Sequence, residues 1–457
     1  MSADEAHPAS FRDPSGHLFR RDGVLYRHVA PCGAADYDLL TGSGLYAELV
    51  DAGLLVAHEE VALEGRAGAH RVLRPSPIDF VSYPYEWAFS QLRDAALLTL
   101  EIASRALRRG LSLKDASAFN VQFRGCRPVF IDTLSFEAAR EGEPWVAYRQ
   151  FCEHFLSPLA LVARCDARLL GLWRAQLDGV PLDLASRLLP RRTWLRFGLL
   201  AHLHMHARSQ AFYADRPAPT RRVAVSRTSL LALVDSLRRT VRSLAPRGAR
   251  SEWADYEQTH SYEDAAQRAK EEAVGRWLER LRPRQVWDLG ANVGRFARIA
   301  AARGAYAVAF DVDPAVVEAA YLAGRAEERR DLLPLVLDLA NPSPGLGWEG
   351  RERDTLEARG PADAVLALAL VHHLAIGRNV PLPRLAAWMR RLSRVAITEF
   401  VPKDDPQTRR LLRSRRDVFP DYTQEAFESA FASHFRLEAR EPLPGSGRVL
   451  YLWLADA

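Results

Sequence analysis

"VWDLGANVGRFARIA", residues 286–300, runs from an apolar strand-like segment through a glycine-bearing turn into a helix that starts near Arg295. Gly290 and Gly294 let the backbone of that turn approach a ligand closely, and Asp288 puts a carboxylate at the strand end, where a cationic or hydroxyl-rich group can sit. Outward from this turn the chain keeps one rhythm. "RQVWDLG", "AYAVAFDV", "LPLVLDL", "ADAVLALAL" and "RVAITEF" read as short buried strands, with "VGRFARIAAARG", "PAVVEAAYLAG" and "LPRLAAWMRRLS" as helices between them. Strand alternating with helix over residues 275–457 predicts an α/β fold with a doubly wound, parallel, Rossmann-like sheet. After it come a helix, "TQEAFESAFASHF", and two strands, "FRLEAREPL" and "RVLYLWLAD", which "PGSG" joins as a terminal hairpin.

Asp311, at the end of the second strand, lies at a suitable distance to accept hydrogen bonds from ribose hydroxyls. Two nucleoside-binding classes share that plan. A dinucleotide oxidoreductase expects G-x-G-x-x-G, which places a pyrophosphate on the helix N-terminus. This chain has D-x-G-x-N-x-G over residues 288–294 instead. "VWDLGANVGRFARIA", "AFDVD", "LVLDLA", "ADAVLALALVHHL" and "RVAITEF" resemble, in order and spacing, the motifs of class I S-adenosylmethionine-dependent methyltransferases across most of residues 285–400. The resemblance implies that Asp288, Gly290, Asn292 and Gly294 line the methionine end of the cofactor, Asp311 the ribose and Asp338 the adenine amino group. Asn292 replaces the family's middle glycine, and asparagine tolerates a left-handed backbone better than other side chains. Asp338 also reads as a turn cap after its strand.

Methyl transfer needs an in-line nucleophile, and a general base only when the acceptor is a hydroxyl. His372 and His373 read as the end of the fourth strand, their side chains on opposite faces, with His373 the candidate base and a packing role the alternative. Glu399, Asp404 and Asp405 follow the fifth strand and read as a solvated acidic loop, or as ligands for a metal or a polar acceptor. Upstream, a helical entry carrying Tyr256, His260, Tyr262 and Lys270 reads either as a lid over the cofactor or as domain packing.

The N-terminal half opens with strands in "HLFRRDGVLYRHV", a helix in "SGLYAELVDAGLLV", further strands in "EEVAL" and "HRVLRP", and a long apolar helix in "EWAFSQLRDAALLTLEIASRALRRG". "LSLKDASAFNVQFRGCRPVFIDTLSFE", residues 111–137, follows. Asp115, Asn120 and Asp132 within it resemble the catalytic loop and metal-binding aspartate of the protein-kinase-like fold, including its small-molecule phosphotransferases. That resemblance implies an α+β domain with Asp115 as base and Asn120 and Asp132 as magnesium ligands for ATP. The departures are a missing glycine-rich loop and no lysine in the strands before the Glu48 helix, where only Arg27 offers a charge. A degenerate supporting domain, a working phosphotransferase and an unrelated fold all stay open.

A chain of 457 residues at roughly 100–200 per domain implies two or three domains. "SLAPRGARSEW", residues 243–253, has linker composition and sets expected domains at 1–245 and 250–457; the two prolines in "YADRPAPTRRVAV" mark a weaker break. No apolar run approaches the ~18 residues of a membrane span, and the polar start carries no export signal, so a cytoplasmic protein is expected. Cys32, Cys126, Cys152 and Cys165 form no C-x-x-C pair and are expected reduced. The net charge of +5 comes almost wholly from arginine, since only Lys114, Lys270 and Lys403 are lysine; the scattered basic runs read as solvated faces, not a nucleic-acid surface. His202, His204 and His206 on one helix offer only two same-face ligands and read as core or surface histidines. The expectation is a methyltransferase using S-adenosylmethionine on a hydroxyl or other polar group of a small molecule or glycan. The N-terminal domain is then either a second, ATP- and magnesium-dependent phosphotransferase or a non-catalytic recruiting module.

Overall fold

The computed structural model describes residues 4–213, 224–246, 264–413 and 417–456. Two compact units divide the chain, one of Met1–Arg124, Pro128–Gly248 and Gly345–Arg353, the other of Gly125–Arg127, Ala249–Pro344 and Asp354–Ala457. Among the described residues no helix is long and apolar enough to cross a membrane, and all four cysteines are free thiols.

The N-terminal unit is α+β. Strands β1 (Glu5–Ala6), β2 (Gly16–Arg21), β3 (Val24–Val29), β4 (His58–Glu60) and β5 (Arg71–Pro75) form an antiparallel sheet in the order β1-β2-β3-β5-β4. Asp22 and Gly23, at φ +52° and +77°, make the two-residue turn between β2 and β3, the tight hairpin that D-G encodes. Helices α1 (Ala34–Gly42) and α2 (Leu45–Asp51) lie between β3 and β4 in the sequence; the first was not foreseen. The long apolar pattern becomes α3 (Phe89–Arg108), started by Gln91, whose side chain accepts the Ala88 N–H at 2.8 Å, and buried over most of its length. Short strands β6 (Leu111–Leu113), β7 (Val121–Arg124), β8 (Arg127–Phe130) and β9 (Phe136–Ala138) pair as β6 with β9 and β7 with β8. Helix α4 (Arg227–Arg242), capped by the Ser226 hydroxyl, packs along α3.

The C-terminal unit is the expected doubly wound α/β sheet. Helix α5 (Asp264–Leu281) precedes β10 (Gln285–Leu289), α6 (Arg295–Ala301), β11 (Tyr306–Asp311), α7 (Pro314–Ala326), β12 (Leu332–Val336), β13 (Ala364–Ala367), α8 (Leu382–Leu392) and β14 (Val395–Phe400). After them come α9 (Pro406–Leu412), α10 (Gln424–Ala432), β15 (Arg436–Pro442) and β16 (Val449–Leu454). The order is β12-β11-β10-β13-β14-β16-β15, parallel from β12 to β14. The terminal strands do form an antiparallel pair, and β16 also docks antiparallel on β14. Strands covered on both faces must be apolar throughout, which is why β13 reads AVLA with every residue buried. Helix α8 buries Leu382, Leu385, Ala386 and Met389, the i, i+3, i+4, i+7 stripe of a helix lying on a sheet. Asp313 caps α7 by accepting the Ala315 N–H, with Pro314 at the first helical position.

Candidate active site

The ends of β10, β11 and β12 bring three acids to one wall of a cavity of about 440 Å³, within the ~300–1,000 Å³ range of small-molecule sites. Asp288 is 2% exposed, and its Oδ2 accepts the Ala297 N–H at 3.0 Å in the first turn of α6. Burial pushes its carboxyl up to about 7, against the opposing pull of that N–H and of Lys270. Gly290 has φ +75°, and a Cβ there would meet Leu370 Cδ1 at 3.1 Å, so the turn needs glycine twice over. Asn292 sits at φ +50°, the left-handed conformation expected of it; its N–H donates to Asp311 Oδ2 at 2.8 Å and its Oδ1 accepts the Val293 N–H at 2.7 Å. Asp311 Oδ1 accepts the Asp313 N–H at 2.9 Å, and burial raises this carboxyl too. Asp338 is a turn cap, accepting the Ala340 N–H at 2.9 Å, and it also lines the cavity, with Arg378 Nη2 3.6 Å from its Oδ2. Gly294 does not line the cavity; at φ +82° it turns the chain into α6.

The structure departs from the sequence expectation at His372, His373 and the acids of 399–405. Strand β13 ends at Ala367, so His372 and His373 do not alternate on a strand; they open a wide helical turn, His373–Gly377, with rings 4.2 Å apart. His373 lines the cavity, and burial holds it down to about 4, reinforced by the Arg448 charge, so its ring is neutral at physiological pH. His372 is fully buried, and neither ring nitrogen has a hydrogen-bond partner among the described residues. The acids after β14 are not a solvated loop. Glu399 is 0% exposed and takes Lys270 Nζ at 2.5 Å and Arg448 Nη1 at 3.4 Å, while Arg448 holds Asp405 with a two-pronged contact at 2.6 and 3.0 Å. Only Asp404 is exposed. Lys270 is therefore a buried ion-pair partner on the cavity wall, its ammonium also 4.9 Å from the Phe296 ring centroid, and not part of a lid. One of only three lysines in an arginine-using chain, it stood out in the sequence. Tyr256, His260 and Tyr262 lie outside the described residues.

No family model matches the chain. Over 452 residues, 97% of this chain and 94% of its relative, it is 37% identical to nodulation protein NoeA of Rhizobium meliloti (strain 1021). The chain belongs to the NoeA family. Among solved structures, it is similar to the N-methyltransferase NodS from Bradyrhizobium japonicum WM9 at 11% identity and TM-score 0.32, over 43% of this chain and 99% of that one. Magnesium protoporphyrin IX methyltransferase from Synechocystis PCC 6803 aligns at 15% identity and TM-score 0.31, over 58% of this chain and 99% of that one. WbdD aligns at 15% identity and TM-score 0.31, over 44% and 42%.

In the N-terminal unit of this NoeA-family chain, Asp115, Asn120 and Asp132 do converge. Asp115 Oδ1 accepts the Ser117 N–H at 2.9 Å and Gln150 Nε2 at 2.8 Å, and burial raises its carboxyl. Asn120 Nδ2 donates to Ser135 Oγ at 3.2 Å, and that hydroxyl donates to Asp132 Oδ2 at 2.5 Å. Asp132 Oδ1 takes the Leu134 N–H at 3.1 Å and Arg27 Nη1 at 2.5 Å. The cluster as built does not fit magnesium, since both oxygens of its central carboxylate are engaged and a guanidinium occupies its coordination face. The three histidines of the NoeA-family chain's "AHLHMHAR" segment are likewise taken up. His202 bonds Tyr148 Oη and Ser236 Oγ at 2.8 Å each, His204 bonds Ser186 Oγ and Thr193 Oγ1 at 2.8 and 2.9 Å, and His206 stacks on Tyr148.

These burials set the pH response of the fold. His58, His154, His202 and His373 are depressed to about 4 and His372 is well below its ordinary value, with His17, His28, His204 and His206 in the same direction. They favour the neutral form in the fold and protonate in the unfolded chain, so their stabilisation is full above pH ~6.5 and lost as pH falls, by up to ~1.4 kcal/mol per pH unit for the well-buried His58, His154, His202 and His373 and by less for the solvent-screened ones. Asp115, Glu153, Asp288 and Asp311 are raised and act oppositely, favouring the fold at low pH and losing that as pH rises. The four histidines held down to about 4 act against Asp288, the one of these acids raised as far as about 7, so falling pH costs the fold more than it returns. Thermal melts are expected to give a lower Tm at pH 5 than at pH 7; a higher one would contradict this burial pattern.

Proposed function

We propose that the C-terminal unit is an S-adenosylmethionine-dependent methyltransferase acting on a hydroxyl or other polar group of a small molecule or glycan, in the nodulation for which its relative is named. The observation that carries this reading is the row of acids Asp288, Asp311 and Asp338 on one cavity wall, beside a turn that approaches through Gly290. Asp288 suits an ammonium group, Asp311 a ribose diol and Asp338 an exocyclic amine. A dinucleotide fits worse for an electrostatic reason. The Asp288 carboxyl already occupies the first turn of α6 through Ala297 N–H, where a pyrophosphate would need to sit, and two anions there repel.

The cofactor, when bound, supplies an electrophilic methyl group on a sulfonium. Everything else falls to the protein. The apolar residues Leu368, Leu370 and Leu374 exclude water from the cavity, and neutral His373 offers a ring nitrogen to take the proton of an acceptor hydroxyl. The buried charges behind it, Lys270, Arg448, Glu399 and Asp405, sum to zero and hold the wall in place. Of the two readings of the N-terminal unit, the engagement of Asp132 by Arg27 favours a recruiting module over a phosphotransferase.

Calorimetric titration of the full chain should show micromolar S-adenosylhomocysteine binding and none for NAD. With an acceptor in hand, His373→Ala should lower kcat by about a hundredfold to ten-thousandfold with little change in S-adenosylhomocysteine affinity. An unchanged kcat would assign the acceptor to a class needing no base, such as a neutral amine.

A further inference from the structure

We propose that Arg27 is a built-in replacement for a divalent cation in the N-terminal unit, so that Asp115, Asn120 and Asp132 form a metal-free clasp that binds neither magnesium nor a nucleoside triphosphate. The charge argument comes first. Arg27 and Asp132 are 13% and 15% exposed, and the guanidinium, 2.5 Å from Oδ1 through Nη1 and 3.7 Å from Asp13 through Nη2, already compensates the carboxylates facing it. A divalent ion brought to the same carboxylate would meet that guanidinium at close range in a poorly solvated place. Magnesium also demands near-ideal octahedral oxygen geometry. Asp132 Oδ2 and the Asn120 amide are instead joined through Ser135 Oγ.

Independent features of the same unit agree. Arg27 sits within β3, in register with Leu18 on one side and Leu73 on the other, so its backbone is fixed by two neighbouring strands. The β2–β3 connection is only Asp22–Gly23, too short for a loop that could wrap phosphates. Glu48 of α2, the acid that would hold a phosphate-pairing cation, is spent on Arg109 Nε at 2.7 Å and Arg105 Nη1 at 3.4 Å. The clasp thus ties β3 to the turn after β8, and the residues of a phosphotransferase site serve to hold a shape.

Calorimetric titration of the full chain with manganese, alone and with ATP, tests this. The native chain should show no saturable binding at millimolar concentration. Arg27→Ala frees the carboxylate and should bind manganese at least about tenfold more tightly, an effect erased by adding Asp132→Asn. Arg27→Gln keeps a hydrogen bond to Asp132 and gives the same readout should circular dichroism show the alanine variant unfolded. Saturable manganese–ATP binding by the native chain, lost in Asp132→Asn, would overturn the proposal, as would a folded Arg27 variant that gains no manganese affinity. Neither outcome bears on methyl transfer in the other unit.

Discussion

Asp288→Asn is expected to weaken S-adenosylhomocysteine binding by about tenfold to a hundredfold while leaving the chain folded. A hydrogen bond to a charged group is worth ~1.5–3 kcal/mol, and about 1.4 kcal/mol is a factor of ten. Asparagine keeps an oxygen for the Ala297 N–H, so the start of α6 survives and the loss is one of charge. Alanine at this position would also orphan that N–H, mixing a folding defect into the result. The native carboxyl, lifted to about 7, adds a second signature. Affinity for the amino-acid end of the ligand should fall as pH drops below 7 and Asp288 takes a proton, and the asparagine variant should lose that dependence. Binding within threefold of native, or a flat native pH profile, would remove Asp288 from the site.

Glu399→Gln should cost about 3–5 kcal/mol of stability, read from urea or thermal unfolding, because it leaves buried cations uncompensated. Lys270 and Arg448 are 3% and 2% exposed, and both oxygens of Asp405 are already turned to Arg448, so the Lys270 ammonium loses its Glu399 contact without gaining that carboxylate in exchange. Removing the Lys270 charge as well should return most of the loss, since Arg448 keeps Asp405 and no unpaired ion remains. Lys270→Met combined with Glu399→Gln is that variant. A single-variant cost below about 1 kcal/mol would mean the pair is solvated, as exposed pairs are.

How much of this was legible in the chain can be argued from those residues. The β10 turn was, because its constraints are local: an apolar strand run, glycine at a left-handed φ of +75°, and an asparagine able to take φ +50°. Asp311 and Asp338 followed from strand ends, since parallel strands present their C-termini to one edge. His372 and His373 were misread because a run of apolar residues through Leu370 looks like strand to its end, whereas a left-handed residue at Ala369 breaks it first. The N-terminal D-G hairpin and the long α3 were equally local, and α1 was missed.

The sequence by itself determined the alternating fold of the C-terminal half and the left-handed turn at 290–294. Only the tertiary structure decided which charges neutralise which. Lys270 meets Glu399 across 129 positions, and Arg27 of β3 lies against Asp132 in the turn after β8. Backbone conformation is set by neighbours a few residues apart and leaves its mark in local patterning. An ion pair between distant segments is selected by the strand order and the burial that folding creates, and a lysine or an arginine reads the same in the chain whether it ends in water or on a carboxylate.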